Sequence, residues 1–345
     1  MTQVEKDIAE VLAAKLDWES LCGKTIAITG ANGMLASYVA ETLLTLGRTT
    51  GNPIRVIALV RNPEKASLRF SAYANDPNLS IVKWDPSAVA PDLKDCDILI
   101  HAASIPRPDS LHPVDVIAPN VIGTWNLLQQ LRQADKRPEQ FIYISSGAVY
   151  GDRQDSPTPI SEDMAPPVNQ MLPQSCYAES KRAGENICIS FMRQYGIPVK
   201  VIRYAHTYGP GMDLEHDPRS FVSFIRSIRD SKDIRLTSAG DAVRYFCYAT
   251  DATIAFFSIL LNGKPGEAYN IANPGNGISI RELAELLVSL APERHLKVVT
   301  DTTAAPPGYA PQKIAPCLDI AKLRTLGWQP SVSIAEGFKR VLNAL

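Results

Sequence analysis

The sequence has no cysteine pair at a spacing that would clasp a metal: Cys22, Cys96, Cys176, Cys188, Cys247 and Cys317 stand singly along 345 residues. That excludes zinc-ribbon and Cys-x-x-Cys redox chemistry and leaves reduced, mostly buried thiols as the expectation. Charge of one sign is also lacking. With 35 Lys and Arg against 36 Asp and Glu, the formal net charge is -1. No global field draws the chain to nucleic acid or an anionic membrane, so any anion must be bound locally. The N-terminal stretch carries Glu5, Asp7, Glu10, Asp17 and Glu19 and no long apolar core, unlike a signal peptide or membrane anchor. A cytoplasmic protein is expected. Internal repeats and low-complexity runs are missing too, which argues against a solenoid or a disordered tail.

What is present is an ordinary globular composition, 45% hydrophobic, on a chain long enough for two domains or one large domain with an insert. Ile8, Val11, Leu12 and Leu16 recur at helical spacing, so residues 1–22 read as a helical extension packed on the body or on a partner chain. From Lys24 onward apolar strands (25–29, 55–60, 98–102, 141–145, 199–204) alternate with helical patterns (35–46, 120–133 and one after Tyr177). Such alternation predicts an α/β fold, a Rossmann-type doubly wound parallel sheet covered by helices on both faces. Beyond Gly209 the texture changes to Pro and Gly clusters with a helix near 221–229, a strand near 234–236 and a helix at 279–290. Residues 23–205, with a returning segment near 240–262, are expected to form the dinucleotide-binding domain, and 206–345 mainly a smaller C-terminal substrate-binding lobe. Residues 303–316 are Pro- and Ala-rich and read as an ordered loop.

The first strand runs into Gly30-Ala31-Asn32-Gly33-Met34-Leu35-Ala36 and then directly into a helix. Small residues there let the backbone approach a pyrophosphate, while helix N–H groups and the helix dipole offset its charge. Gly30, Asn32, Gly33, Met34 and Leu35 are therefore assigned to a dinucleotide, with Ala36 in place of a third glycine. The second strand ends Val60-Arg61-Asn62, without the carboxylate that receives an NAD ribose. Arg61 favours the 2'-phosphate of NADP; if Arg61 instead stacks on the adenine or is solvated, NAD remains open. Asp85, after a strand at 81–84, is a candidate for the adenine amino group.

Tyr177-Ala178-Glu179-Ser180-Lys181 places a phenol and an ammonium one helical turn apart on one face. A tyrosine near its ordinary pKa of about 10 is a poor base, and a neighbouring cation lowers the cost of its phenolate. Tyr177 can then exchange a proton with a hydroxyl as hydride moves. The pair gains meaning from Ser145-Ser146-Gly147-Ala148-Val149-Tyr150-Gly151, which ends a buried strand upstream.

With these segments, with His101-Ala102-Ala103, Asn120, Arg203 to Gly211, Arg244-Tyr245-Phe246-Cys247-Tyr248, Tyr269-Asn270-Ile271 and Leu326-Gly327-Trp328, the chain resembles the extended short-chain dehydrogenase/reductases, the NAD-dependent epimerase/dehydratase group, from about Gly23 to its C-terminus. The resemblance implies a Ser146, Tyr177 and Lys181 triad, with Lys181 also on the nicotinamide ribose. Ala102, Ala103, Asn120 and Tyr204 fall on its cofactor side. Arg244 is implied to pair with a substrate diphosphate, as suits a planar guanidinium, unless it forms a surface ion pair. His101, in the turn beside the pyrophosphate, reads as structural. A nucleoside diphosphate sugar is the implied substrate, and a homodimer the implied assembly.

The chain departs from the pattern in three places. Dehydratases of the family carry Asp-Glu, and decarboxylases Glu, just before Val-Tyr-Gly; here Gly147 and Ala148 stand there. Dehydration by the usual route, and decarboxylation, are thereby disfavoured. His206 stands where relatives usually have Asn; it can donate a hydrogen bond or, if protonated, favour an anion. Lys313 lies where a second diphosphate-binding Arg is common. The expected activity is a C4 epimerase working through a 4-keto sugar. A reductase consuming NADPH is the alternative that Arg61 favours, and a silent cofactor-binding protein is argued against by the intact triad.

Overall fold

The computed structural model describes residues 1–105, 113–134, 136–151, 159–164, 168–301 and 317–345. The expected loop at 303–316, Lys313 included, lies outside the described residues. The short β-rich runs form strands β1 (Thr25–Thr29), β2 (Arg55–Val60), β3 (Leu79–Lys83), β4 (Ile98–His101), β5 (Gln140–Ser146) and β6 (Val199–Tyr204). They are followed by β7 (His206–Tyr208), β8 (Ile234–Leu236), β9 (Val243–Tyr248), β10 (Ala268–Ile271), β11 (Gly277–Ser279) and β12 (Val298–Thr300). The helices are α1 (Gln3–Leu12), α2 (Met34–Thr50), α3 (Pro63–Arg69), α4 (Pro113–Ile117), α5 (Gly123–Gln133) and α6 (Cys176–Tyr195). Farther along come α7 (Ser220–Arg229), α8 (Ala249–Asn262), α9 (Ile280–Ser289), α10 (Ala321–Arg324) and α11 (Ile334–Leu342).

Seven strands make one sheet in the order β10-β6-β5-β4-β1-β2-β3, every pairing parallel. The chain winds outward from β1 in one direction to β3, then crosses back to β4 on the other side. That reversal between β1 and β4 opens a crevice at the carboxyl ends of the strands, the place where doubly wound folds bind ligands. β1 and β4 are buried almost throughout, as a sheet covered on both faces requires. The seventh strand, β10, comes from beyond residue 206. A second apolar core gathers Tyr208, Phe221, Phe246, Leu283, Leu287 and Phe338, around the three-stranded β11-β9-β7 sheet and the β12-β8 pair.

Two sequence expectations are corrected. The N-terminal helix stops at Leu12, so Leu16 packs on the core from a turn beyond it. Asn120 does not open a helix but sits inside one wider π turn, Ala118–Ile122, between α4 and α5. The extension itself is anchored by a buried carboxylate: Asp7 Oδ2 accepts hydrogen bonds from the Tyr38 and Tyr248 hydroxyls, each at 2.7 Å. All six cysteines are free thiols. Among the described residues no helix is long and apolar enough to cross a membrane, and no cluster of His, Cys, Asp and Glu is arranged to hold a metal.

Candidate functional site

A cavity of about 1580 Å³ occupies the crevice, reaching from the glycine turn after β1 to the loop ahead of α7. At its cofactor end Gly30 adopts φ +66°, and a Cβ there would stand 2.9 Å from both Cα and N of Ala103. Only glycine lets β1 turn this tightly against the end of β4. Gly33 caps α2 without any side-chain hydrogen bond to the helix amides. Those amides are left to a ligand, so the turn fits a pyrophosphate. Asn32, Met34 and Leu35, with Ala102 and Ala103 opposite, line the same wall.

His101 behaves as a brace. Its Nδ1 lies 2.8 Å from the Thr29 hydroxyl and its Nε2 3.1 Å from that of Thr124, and burial presses its pKa down to about 3. Thr29 in turn accepts the Ala103 N–H at 2.9 Å, so β1, β4 and α5 hold the turn as one unit.

Arg61 lines the cavity, joined by Lys65 and Arg69. On α3 the spacing of four residues puts Lys65 and Arg69 on one face, a signal in the sequence that an isolated Arg61 does not carry. Asp85 is placed differently. Its Oδ1 accepts the Ser87 N–H at 2.8 Å and the Ser87 hydroxyl at 2.5 Å, which holds its carboxyl below the usual range. It caps a turn, while its neighbours Trp84 and Pro86 face the cavity.

At the other end the cavity brings together Ser146, Tyr177, Lys181, Tyr204 and His206. Ser146 ends β5 and accepts the Ala148 N–H at 3.2 Å. Burial raises the Tyr177 phenol, while hydrogen bonding from Ser146 and Ser104 and the charge of Arg219 pull it back down. Lys181 is not among the groups acting on it. That ammonium, 3% exposed, donates to the Ile144 carbonyl at 2.8 Å, and burial lowers its pKa to about 8. The cation nearest the phenol in effect is Arg219, which the sequence reading missed. Arg219 is held by Asp217 through Nε at 3.0 Å and Nη2 at 2.6 Å.

Behind the site runs a polar network. Glu185 Oε1 accepts the Ser145 hydroxyl at 2.5 Å and Arg203 Nε at 2.9 Å, and Oε2 accepts Arg203 Nη2 at 2.7 Å. Arg203 Nη1 also donates to the Tyr150 hydroxyl at 2.8 Å. These contacts fix the end of β5 against α6 and β6.

Two implied residues, Asn120 and Arg244, are not on the cavity wall. Asn120 donates to the Ser180 hydroxyl at 2.9 Å and accepts the Ile105 N–H at 3.3 Å, tying the π turn to α6. Arg244 is half-buried on β9, its Nη1 donating to the Val243 carbonyl at 2.8 Å. Lys313 is not described. His206 does face the cavity, but burial, with Arg244 and Arg219 nearby, lowers its pKa to about 4. At neutral pH it is therefore an uncharged imidazole rather than an imidazolium. Gly147 and Ala148 also line the cavity, leaving it without the acidic side chain found at that point in dehydratases and decarboxylases.

Residues 26–272 match the family model described as "NAD dependent epimerase/dehydratase family". The chain belongs to that family. Its members here are nucleotide-sugar enzymes, and the cofactor is a nicotinamide dinucleotide. It is similar to UDP-glucuronic acid decarboxylase 3 of Arabidopsis thaliana, 30% identical over 90% of this chain and 86% of that one. It is similar to the dTDP-glucose 4,6-dehydratase of Streptomyces venezuelae solved with NAD bound, at 26% identity, TM-score 0.76, and 93% and 96% coverage. The UDP-glucose 4-epimerase of Thermotoga maritima shares the fold, with TM-score 0.76 at 22% identity and 93% and 98% coverage.

Proposed function

We propose that this family member removes the C4 hydrogen of a nucleoside diphosphate sugar as hydride and returns it, inverting C4. The observation that carries this reading is the meeting of Ser146, Tyr177 and Lys181 in one cavity whose Gly147 and Ala148 supply no acid or base beyond them. Lys181 would hold the nicotinamide end of the dinucleotide, which would supply the hydride acceptor and donor. The chain's residues handle the proton. Ser146 orients the C4 oxygen, Tyr177 takes the hydroxyl proton as the ketone forms and gives it back, and the charge of Arg219 favours the phenolate. Arg244 and Lys313 are proposed for the diphosphate and His206 for a neutral hydrogen bond to the substrate. Asp85 and Asn120 are proposed on the cofactor side as positioning groups, behind Arg61 and Tyr204.

Two further readings each rest on one observation. Resemblance to UDP-glucuronic acid decarboxylases across 90% of the chain favours loss of carbon dioxide from a uronic acid after C4 oxidation. That step is chemically accessible without a glutamate, since a carboxylate β to a ketone is a labile group. Arg61, Lys65 and Arg69 on one wall favour NADPH and hence net reduction of a 4-keto sugar.

One experiment separates all three: incubation with UDP-glucose, UDP-glucuronic acid and a dTDP-4-keto-6-deoxy sugar, with products followed by NMR. A C4 epimer formed without net cofactor turnover is the expected result. A pentose with carbon dioxide would replace the epimerase by the decarboxylase, and stoichiometric NADPH consumption on the keto sugar would replace it by the reductase.

A further inference from the structure

Lys181 carries its charge in a place with little to balance it. Among the described residues its buried ammonium makes one hydrogen bond, to the Ile144 carbonyl, and is in no ion-pair contact with a carboxylate. Glu185, one turn along α6, acts on it through its charge, but both Glu185 oxygens are engaged by Arg203. The other titratable groups facing it are Cys188 on the same helix and His101 on β4, which burial keeps neutral. A buried cation with no anion in contact calls for a further electron-rich partner.

The Tyr143 ring is that partner. It lies on β5 beside Ile144, and Lys181 Nζ stands 5.1 Å from the ring centroid, within the range of a cation–π contact. The ring reaches this place through a gap in α6. A Cβ on Gly184 would stand 2.6 Å from Tyr143 Cζ and closer still to Oη, so any larger residue would displace the ring. The hydroxyl itself gains little. Among the described residues Tyr143 Oη makes no hydrogen bond of ordinary geometry, and the Thr124 hydroxyl beside it only partly offsets burial of the phenol. A buried phenol with a weakly satisfied hydroxyl costs stability, so the position is occupied for what the ring does.

We propose that Tyr143, seated in the gap left by Gly184, is a positioning residue that holds the Lys181 ammonium in its charged form beneath the cavity floor. The proposal rests on Lys181 being the catalytic cation, and its test is chosen to stand apart from that. The test follows the Lys181 Nζ titration by 15N NMR in the cofactor-free protein, for the wild type and three variants, with thermal stability measured alongside. Tyr143→Phe keeps the ring and is expected to leave the midpoint unchanged. Tyr143→Leu is expected to lower it by about one and a half pH units, the worth of a desolvated cation–π contact. In Tyr143→Leu with Gly184→Ala the alanine methyl fills part of the vacated space, so stability recovers while the midpoint stays low. An unshifted midpoint in Tyr143→Leu, or one restored by Gly184→Ala together with stability, would overturn the proposal. The alkaline fall of kcat should move with the midpoint. A midpoint that shifts while the rate profile does not would uphold the role of Tyr143 and remove Lys181 from catalysis.

Discussion

Glu185→Ala removes the carboxylate on which the rear wall of the site converges. Both it and Arg203 are only 13% exposed, so the substitution leaves a guanidinium buried with the Tyr150 hydroxyl and the Glu162 carbonyl as its remaining acceptors. Removing one member of a buried ion pair costs about 3–5 kcal/mol, because the stranded charge keeps its desolvation penalty. For a chain of this length that is a fall in Tm of roughly 4–7 °C. Glu185→Gln keeps the shape and one acceptor while losing the charge, and should cost about 1–2 kcal/mol. Urea unfolding followed by circular dichroism measures both. Ser145 also loses its acceptor and adjoins Ser146, so kcat should fall in Glu185→Ala even where the protein is fully folded. A Glu185→Ala variant within about 1 kcal/mol of wild type would refute the reasoning, since the pair would then do no more than offset its own burial.

The remaining predictions concern the cofactor end and pH. Gly30→Ala forces an L side chain to φ +66° against the Ala103 backbone, and calorimetry should show dinucleotide affinity reduced at least about tenfold. The double variant Arg61→Ala, Lys65→Ala should weaken NADPH by roughly ten- to a hundredfold while sparing NADH, read by nicotinamide fluorescence titration. Burial raises the Glu41 pKa from 4.5 to about 7, partly opposed by Arg69. Because the folded value exceeds the unfolded one, Glu41 favours folding below pH 4.5 and loses that contribution as pH rises through 7. Glu41→Gln should therefore raise Tm at pH 8 and leave it unchanged at pH 4, as scanning calorimetry across that range will show.

Much of the sheet was legible because buried parallel strands write themselves as short apolar runs between turn residues. β1, β2, β6 and β8 occupy the expected residues, and the glycine turn follows from strand, Gly30, Gly33 and helix in succession. That Tyr177 and Lys181 would share one face was legible for a similar reason, since they are local neighbours on a single helix. Other features depend on distant parts of the chain meeting. The π turn around Asn120 carries no periodicity of its own, and reading it as a helix start placed that residue at an edge when it lies buried between α4, α5 and α6. Arg219 was missed because its approach to Tyr177 is set by the loop ahead of α7, far along the sequence. The protonation of His206 could not be read either, for it depends on the burial and the two cations that the fold supplies.

The most direct test of the central claim is the fate of a C4 label. The C4-deuterated forms of the same uridine diphosphate sugars should give a product with deuterium still at C4 and its configuration inverted, with turnover abolished in Tyr177→Phe while dinucleotide binding persists. Product that has exchanged its C4 deuterium with solvent, or turnover undiminished in Tyr177→Phe, would contradict hydride removal and return through this site.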